Sequence, residues 1–172
     1  MALVKPFVFQ IVGYQNSGKT TFMKTLLAQL KLNGLKTVTI KHHGHGGKPT
    51  INEEKDSAGH IRAGAVASLV EGGGRLILQA ENIDWSLEDK LEFISAFKPD
   101  LIIVEGHKYE KYPKLLFIRN HEDGHLLHEL DRVELVLYQE SIEIDGIGQS
   151  FHRNDPKAVQ WLMDYFQDQM RS

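Results

Sequence analysis

The chain of 172 residues contains no cysteine and only five prolines. Without cysteine it can form no disulfide bond, thiolate metal site or cysteine nucleophile. No apolar run approaches the length of a membrane span, and the segment before residue 7 is too short for a signal peptide. The formal net charge of −3 gives no excess of positive charge for nucleic acid or anionic lipid. We therefore expect a cytoplasmic protein that binds neither nucleic acid nor membrane.

The composition that remains is ordinary for a globular protein, with 41% hydrophobic and 25% charged residues. No repeat, low-complexity tract or linker divides the chain, so we predict a single domain over 1–172. The predicted strands are 7–12, 36–41, 67–70, 76–79, 101–104, 114–119 and 133–138, and the predicted helices are 19–32, 56–65, 85–97 and 155–169. This alternation is typical of an α/β protein with a mainly parallel, doubly wound sheet flanked by helices.

A glycine-rich segment after the first predicted strand matches the phosphate-binding pattern G-x-x-x-x-G-K-[ST]. It reads Gly13-Tyr14-Gln15-Asn16-Ser17-Gly18-Lys19-Thr20, and an amphipathic helix follows it. Backbone N–H groups of such a loop surround phosphates, while Lys19 would reach the β- and γ-phosphates and the Thr20 hydroxyl would bind Mg²⁺. A chance glycine turn would match this spacing in roughly one chain of this length in a hundred or fewer. The motif therefore predicts a nucleotide-binding domain with the three-layer P-loop NTPase fold.

The predicted strand 101–104 is wholly apolar and ends at Glu105-Gly106. An apolar strand followed by a carboxylate resembles a Walker B strand, whose acid holds Mg²⁺ or a water bound to it. Ligands of open α/β sheets bind outside the carboxyl ends of the strands, where the P-loop also lies. We therefore expect Glu105 to act with Thr20 at a magnesium site. The alternative is a solvated glutamate at the end of a strand.

The second predicted strand runs into a loop that contains Lys41, His42, His43 and His45. Lys41 is expected to pair with phosphate or substrate charge, because it lies at the same edge of the sheet. The histidines resemble a metal-binding tract, but no cysteine or second histidine pair completes a closed set of ligands. The adjacent His42 and His43 also cannot easily face one ion. The alternative, which we favour, is that the histidines donate hydrogen bonds near phosphates.

Three other groups of polar residues carry weaker signals. Asp56 opens the predicted helix 56–65 and is either its N-cap or a carboxylate that orients an attacking or magnesium-bound water. Three basic residues follow Glu105: His107, Lys108 and Lys111. They form either a basic rim suited to an anionic substrate or an ordinary solvated face. We interpret three histidines at helical spacing as surface residues: His121, His125 and His128.

In order and spacing, six segments match one family: 12–21, 39–45, 55–57, 63–65, 104–108 and 113–114. Together they resemble the molybdopterin-guanine dinucleotide biosynthesis protein B (MobB) family. A P-loop alone is shared by many families, whereas its combination with the Lys-His-His loop and the Val-Glu-Gly-His-Lys segment is much narrower. The resemblance spans about 7–119, and the last third of the chain is less distinctive.

The resemblance implies a GTP-binding protein with weak GTPase activity, usually a homodimer. Such a protein assists a MobA-type nucleotidyltransferase that attaches GMP to molybdopterin. The resemblance also implies that Lys41 and His42 belong to a second active-site loop, Asp56 to a switch-like helix and Glu105 to the Walker B position. The residues implied to hold the phosphates and Mg²⁺ are Gly13, Asn16, Ser17, Gly18, Lys19, Thr20 and Thr21.

The sequence has no Asn-Lys-x-Asp motif for reading guanine, so the preference for GTP over ATP rests on the resemblance. Another loop could read the base, for example the one near Arg119-Asn120. Two other functions fit a small P-loop protein. A metallochaperone-type GTPase agrees with the histidine loop but not with the absence of cysteine, and a small-molecule kinase needs an arginine-bearing lid that the sequence does not show. A bound nucleotide that only switches a partner-binding surface is a further interpretation.

Overall fold

The computed structural model describes residues 5–42, 49, 56–81, 84–140 and 148–171. The chain forms two compact units, one of Met1–His42 with Leu91–Ser172 and one of His43–Lys90. The single domain over 1–172 stays a prediction. Within the described ranges, no helix has both the length and the apolar character that crossing a membrane requires.

The described residues form alternating strands and helices. The strands are β1 (Phe7–Gly13), β2 (Thr37–Lys41), β3 (Ala67–Gly72), β4 (Arg75–Ala80), β5 (Leu101–Glu105), β6 (Lys114–Ile118), β7 (Val133–Tyr138) and β8 (Ser150–His152). The helices are α1 (Lys19–Leu32), α2 (Asp56–Arg62), α3 (Leu87–Ser95), α4 (Leu126–Glu129) and α5 (Lys157–Arg171), with a 3₁₀ helix at His121–His125.

The larger unit is built on a six-stranded sheet of order β2-β5-β1-β6-β7-β8. All its neighbouring strands are parallel. β1 lies between β5 and β6, with Ile11 opposite Glu105 and Gly13 opposite Phe117. Because parallel strands end at the same edge, this order brings the loops after β2, β5, β1 and β6 to one side of the sheet.

Alternate residues of the central strands face two separate hydrophobic clusters. One face carries Phe9 and Ile11, which pack with residues of α1 and α5 such as Leu26 and Phe166. The Phe9 and Phe166 rings meet edge to face, with centroids 5.0 Å apart. The opposite face carries Val12, which packs with residues of β6, α4 and β7. Helices on both faces confirm the predicted mainly parallel α/β sheet.

The smaller unit contains α2 and an antiparallel hairpin of β3 and β4. Gly73 and Gly74 connect the two strands with φ of +57° and +78°, the pair of left-handed conformations that a type I′ turn requires. The hairpin leaves several large apolar side chains exposed: Leu69, Val70, Leu76 and Ile77.

Sequence patterns missed or misplaced a few elements for local reasons. β8 has three residues, too few for a recognisable alternation, and the four-residue α4 is too short for a helical period. Helix α3 begins at Leu87 rather than at 85, because Ser86 and Asp89 form a capping box. The Asp89 N–H donates to Ser86 Oγ at 3.0 Å, and the Ser86 N–H donates to Asp89 Oδ2 at 3.0 Å.

Candidate functional site

The loop between β1 and α1 has the backbone conformation that the glycine motif predicts. Its backbone turns left-handed at Asn16, with φ of +61°, and again at Gly18, with φ of +98°. Asparagine and glycine adopt this region with the least strain. When right-handed and left-handed backbone conformations alternate along a short turn, successive N–H groups point into a concavity that binds anions. α1 begins at Lys19 and adds the partial positive charge of its N-terminus to the same concavity.

Gly13 is required by the contact between β1 and β6. A Cβ atom at this position would lie 2.7 Å from the backbone oxygen of Phe117 and 2.9 Å from its Cβ, and φ is +140°. Both backbones are held in the parallel sheet, so neither can yield easily. At Gly18 the nearest atom of the described part of the chain would lie 3.8 Å from a Cβ, so there the left-handed φ is the main constraint.

The Lys19 side chain folds over the first half of the loop. Its Nζ donates to the backbone oxygens of Gly13 at 2.8 Å and Tyr14 at 2.5 Å, and to Ser17 Oγ at 3.1 Å. Burial lowers the pKa of Lys19, and the nearby carboxylate of Glu105 acts in the opposite direction. The ammonium group therefore lies against the first half of the loop, close enough to Glu105, the predicted Walker B residue, for their charges to interact.

Glu105 and Lys41 form an ion pair beside the P-loop. They are opposite each other on β5 and β2, and Lys41 Nζ lies 3.0 Å from Glu105 Oε1. The Glu105 side chain is 12% exposed and that of Lys41 is 60% exposed. The His42 N–H continues the ladder by donating to the Glu105 backbone oxygen at 2.9 Å. The structure thus brings together Lys19, Glu105 and the consecutive residues Lys41 and His42 from three separate parts of the sequence.

A buried glutamine on β1, which no sequence motif marks, holds the turn after Glu105. Gln10 is 0% exposed, and its Nε2 donates to the backbone oxygens of Gly106 at 3.1 Å and His107 at 2.6 Å. Both turn residues have left-handed φ, at +100° and +53°. The sequence signal was a glutamine inside an otherwise apolar strand.

The loops after β2 and β5 contact each other closely. A Cβ on Gly106 would lie 3.0 Å from the Cβ of His42, so a larger residue there would push the second loop away. The rings of His42 and His107 have centroids 4.5 Å apart. These contacts fix the strand ends that carry Glu105 and Lys41.

A second missed cluster surrounds Tyr14 of the P-loop. Lys108 Nζ lies 4.6 Å from the centre of the Tyr14 ring, and Arg119 Cζ lies 5.1 Å from it. The Tyr14 hydroxyl is 3.1 Å from Nε2 of His125, whose Nδ1 is 2.6 Å from the backbone oxygen of Glu122. A carbonyl only accepts, so the His125 Nδ1 carries a proton. His125, interpreted from sequence as a surface residue, is exposed but contacts the P-loop.

Arg119 braces the P-loop and is held by Asp123. Its Nε and Nη2 each donate to a carboxylate oxygen of Asp123 at 2.8 Å, and Nη1 donates to the Gln15 backbone oxygen at 3.3 Å. The hydrogen bonds from Arg119 lower the pKa of Asp123, which is 1% exposed. The planar fork of Arg119 is therefore occupied by a bidentate pair.

Lys114 matches the sequence pattern but lies away from this edge. It begins β6 at the opposite end of the strand, opposite Gln10, and is fully buried. Its Nζ donates to the backbone oxygens of Glu110 at 2.8 Å and Asp131 at 2.6 Å. Burial lowers the pKa of Lys114. These contacts indicate a structural tie between the segments that precede β6 and β7.

The remaining predicted site residues are either exposed or outside the described residues. Thr20 and Thr21 are exposed in the first turn of α1. His43, His45 and the side chain of Asp56 lie outside the described residues, so their roles stay predictions. Within the described ranges, no group of three histidine or acidic side chains is arranged to hold a metal ion. Thr20 and Glu105 still fit Mg²⁺, which takes oxygen ligands and relies on phosphates and water for the rest of its shell.

The parallel sheet and the glycine loop between β1 and α1 define a P-loop NTPase fold. The family model described as "Molybdopterin guanine dinucleotide synthesis protein B" (MobB) matches residues 8–138. A probable molybdopterin-guanine dinucleotide biosynthesis adapter protein of Bacillus subtilis is 37% identical over 166 residues, covering 95% of each chain. The chain belongs to the MobB family.

Solved structures agree with this assignment. The crystal structure of a MobB homologue from Bacillus stearothermophilus superposes with a TM-score of 0.78 at 33% identity, covering 94% of this chain and 98% of the other. That of Bacillus subtilis MobB gives a TM-score of 0.77 at 36% identity, covering 91% and 96%.

We predict that Gly13→Ala lowers the free energy of unfolding by about 2–3 kcal/mol, since the new methyl group clashes with Phe117 and φ is unfavourable. Urea unfolding followed by circular dichroism measures the change. Gly124→Ala is the matched control, because none of the described residues places an atom within 4 Å of the Cβ position and its φ is not left-handed. Equal stability of the two variants would show that the contact between β1 and β6 is not as close as described.

Proposed function

We propose that the protein binds GTP with Mg²⁺ and is a slow GTPase that acts as an accessory protein in molybdenum cofactor biosynthesis. It would assist a MobA-type nucleotidyltransferase in converting molybdopterin to molybdopterin guanine dinucleotide. The observation that carries the nucleotide part is the P-loop, in which the Lys19 ammonium lies at the mouth of a left-handed turn and near Glu105. Similarity to adapter proteins of molybdopterin-guanine dinucleotide biosynthesis supports the pathway.

Each part of the site has a separate task in this proposal. Backbone N–H groups from Gly13 to Thr21 bind the phosphate oxygens, and Lys19 neutralises the charge that grows on the β–γ bridge during hydrolysis. Thr20 and Glu105 would hold Mg²⁺, which supplies charge neutralisation when bound. Lys41, now paired with Glu105, lies where it can turn toward the terminal phosphate, and His42 fixes the loop that carries it.

Slow turnover follows from the positions of the arginines beside the P-loop. Arg119 is bound by Asp123 through Nε and Nη2, so its guanidinium is not free to act as an arginine finger. Arg153 follows β8, on the opposite side of β1 from Glu105 and Lys41, and is therefore away from the proposed position of the transferred phosphate. Asp56 is proposed to orient the attacking water. A partner or a second copy is expected to accelerate hydrolysis.

The alternatives from the sequence are less well supported. A metallochaperone-type GTPase and a small-molecule kinase share the P-loop, but the family match over 8–138 favours the MobB function. Tight stoichiometric binding of nickel or zinc at the histidine loop would favour the metallochaperone.

We also propose that the protein is a homodimer and that the hairpin of β3 and β4 forms part of the interface. Val70 and Ile77 are directly opposite each other on this hairpin and are 45% and 52% exposed. Leu69 and Leu76, which lie on the opposite face of the hairpin, are similarly exposed. Exposed apolar side chains such as Val70 and Ile77, side by side on a small hairpin, are typical of a protein–protein contact. A second copy of the chain is the occupant that we infer from the family resemblance.

Lys19→Ala is expected to weaken binding of GTP by about 30- to 1000-fold, because the variant lacks the charge-assisted contact to the phosphates. Isothermal titration calorimetry with magnesium GTP measures the affinity, and circular dichroism checks that the fold survives. Lys24→Ala, an exposed residue on the same helix, is the control and should bind as the parent does. If Lys19→Ala binds GTP as well as the parent, the assignment of the P-loop is wrong.

Glu105→Gln keeps the size of the side chain but removes its charge. We expect magnesium-dependent GTP hydrolysis to fall about tenfold or more while GTP affinity changes less, because the carboxylate acts on the metal rather than on the nucleotide. Phosphate release is the measurement, with Glu129→Gln on α4 as the control. Unchanged hydrolysis in Glu105→Gln would remove this residue from the site.

Sedimentation equilibrium tests the dimer. The parent is expected at twice the chain mass of 19.6 kDa, and the double variant Val70→Lys with Ile77→Lys at the chain mass itself. Burying two ammonium groups in an apolar contact should destabilise the dimer by roughly several kcal/mol. Arg75→Gln at the turn end of the hairpin should leave the dimer intact. A monomeric parent, or a double variant that still dimerises, contradicts the proposal.

A further inference from the structure

Two polar side chains lie just beyond the ends of β7 and β8. Gln139 is the first residue after β7, and Arg153 is the first after β8. Arg153 Nη1 donates to Gln139 Oε1 at 2.8 Å. The backbone holds both residues, since the Gln139 N–H donates to the Ile118 oxygen at 2.9 Å and the Arg153 N–H to the Tyr138 oxygen at 2.8 Å. The pair is therefore fixed at the edge of the sheet where the P-loop lies.

Arg153 is also next to the P-loop itself. A Cβ built on Gly18 would lie 3.8 Å from Arg153 Nη1 and 4.0 Å from its Cδ. Gly18 immediately precedes α1, so the guanidinium stands beside the second half of the loop.

The order of the strands indicates the direction in which a bound nucleotide extends. Lys19 Nζ, which would contact the terminal phosphates, lies over Gly13 and Tyr14 and within the field of Glu105 and Lys41. Glu105 and Lys41 belong to β5 and β2, on one side of β1. Since the terminal phosphates occupy that side, the nucleoside must leave on the other side. There it passes Gly18 and reaches the ends of β7 and β8.

We propose that Gln139 and Arg153 form the nucleobase subsite and select guanine over adenine. This inference rests on the proposed function, because it assumes that a nucleoside triphosphate occupies the P-loop. Arginine carries only N–H donors, and Gln139 adds the two donors of its Nε2. The pair therefore presents more hydrogen-bond donors than acceptors. Guanine offers two acceptors at O6 and N7 that an arginine fork can bind together, whereas adenine places a donor amine at the position of O6.

Arg119 is less suited to this role, although the sequence placed it near a possible base-reading loop. Two of its nitrogens are bound by Asp123, and the third donates to the backbone of Gln15. Arg153 has a single neutral partner, Gln139, among its hydrogen bonds to side chains of the described residues. The subsite also gives a physical basis for reading guanine in a chain without an Asn-Lys-x-Asp motif.

Calorimetry with the magnesium complexes of GTP, ITP and ATP tests the subsite in the full chain. ITP keeps O6 and N7 but lacks the amino group at C2. For the parent, GTP and ITP are expected to bind about tenfold or more tighter than ATP. In Arg153→Ala, the affinities for GTP and ITP should fall by about 10- to 100-fold, with ATP changed by less than about threefold. Arg171→Ala, at the exposed end of α5, is the matched control and should keep the parent's preference.

Arg153→Lys provides a second variant that keeps the charge but lacks the fork. It should retain ATP affinity and lose the preference for GTP, which separates base reading from a general electrostatic effect. A GTP-to-ATP ratio within twofold of the parent's in both variants would overturn the subsite while leaving the triphosphate site intact. A parent that binds GTP and ATP equally would overturn it as well. A parent that binds no nucleotide would overturn both the subsite and the proposed function.

Discussion

The position of β1 between β5 and β6 is the constraint on which the site depends. On one side its last residues approach the β6 backbone so closely that only glycine fits at position 13. On the other side Ile11 is opposite Glu105, which places a carboxylate beside the first half of the P-loop. Gln10, between these contacts, holds the turn after Glu105 through two hydrogen bonds to its backbone. The P-loop and Glu105 are thus positioned by the same strand, and a shift of β1 would displace both.

Electrostatics make this edge of the sheet suitable for a polyphosphate. Lys41 forms an ion pair with Glu105, and the charge of Lys19 also interacts with this carboxylate. Two cations and one anion leave these three side chains with a net positive charge, to which the N-terminus of α1 adds. Partial burial strengthens each of these interactions relative to bulk water. Two further cations, Lys108 and Arg119, contact the Tyr14 ring and extend the positively charged region. Membership of the MobB family is consistent with a site of this kind at the carboxyl ends of the strands.

The sequence was sufficient for the local parts of this arrangement. The spacing of Gly13, Gly18 and Lys19 predicted the loop, and the apolar run 101–104 predicted the strand that carries Glu105. The sequence could not show which strands are neighbours, and the missed residues depend on that. Gln10 contacts residues 96 and 97 positions away, and Arg119 contacts Gln15 across 104 positions. Arg153 was missed for the same reason, because β8 is short and its place in the sheet is a long-range property.

The most direct test of the central claim is a crystal structure of the protein with Mg²⁺ and a non-hydrolysable analogue of GTP. We expect the β-phosphate within hydrogen-bond distance of backbone N–H groups between Gly13 and Thr20, about 3 Å away, with Lys19 Nζ on the terminal phosphates. Glu105 should then face the metal or one of its waters. An analogue bound elsewhere on the chain, with the P-loop empty at saturating concentration, would contradict the claim.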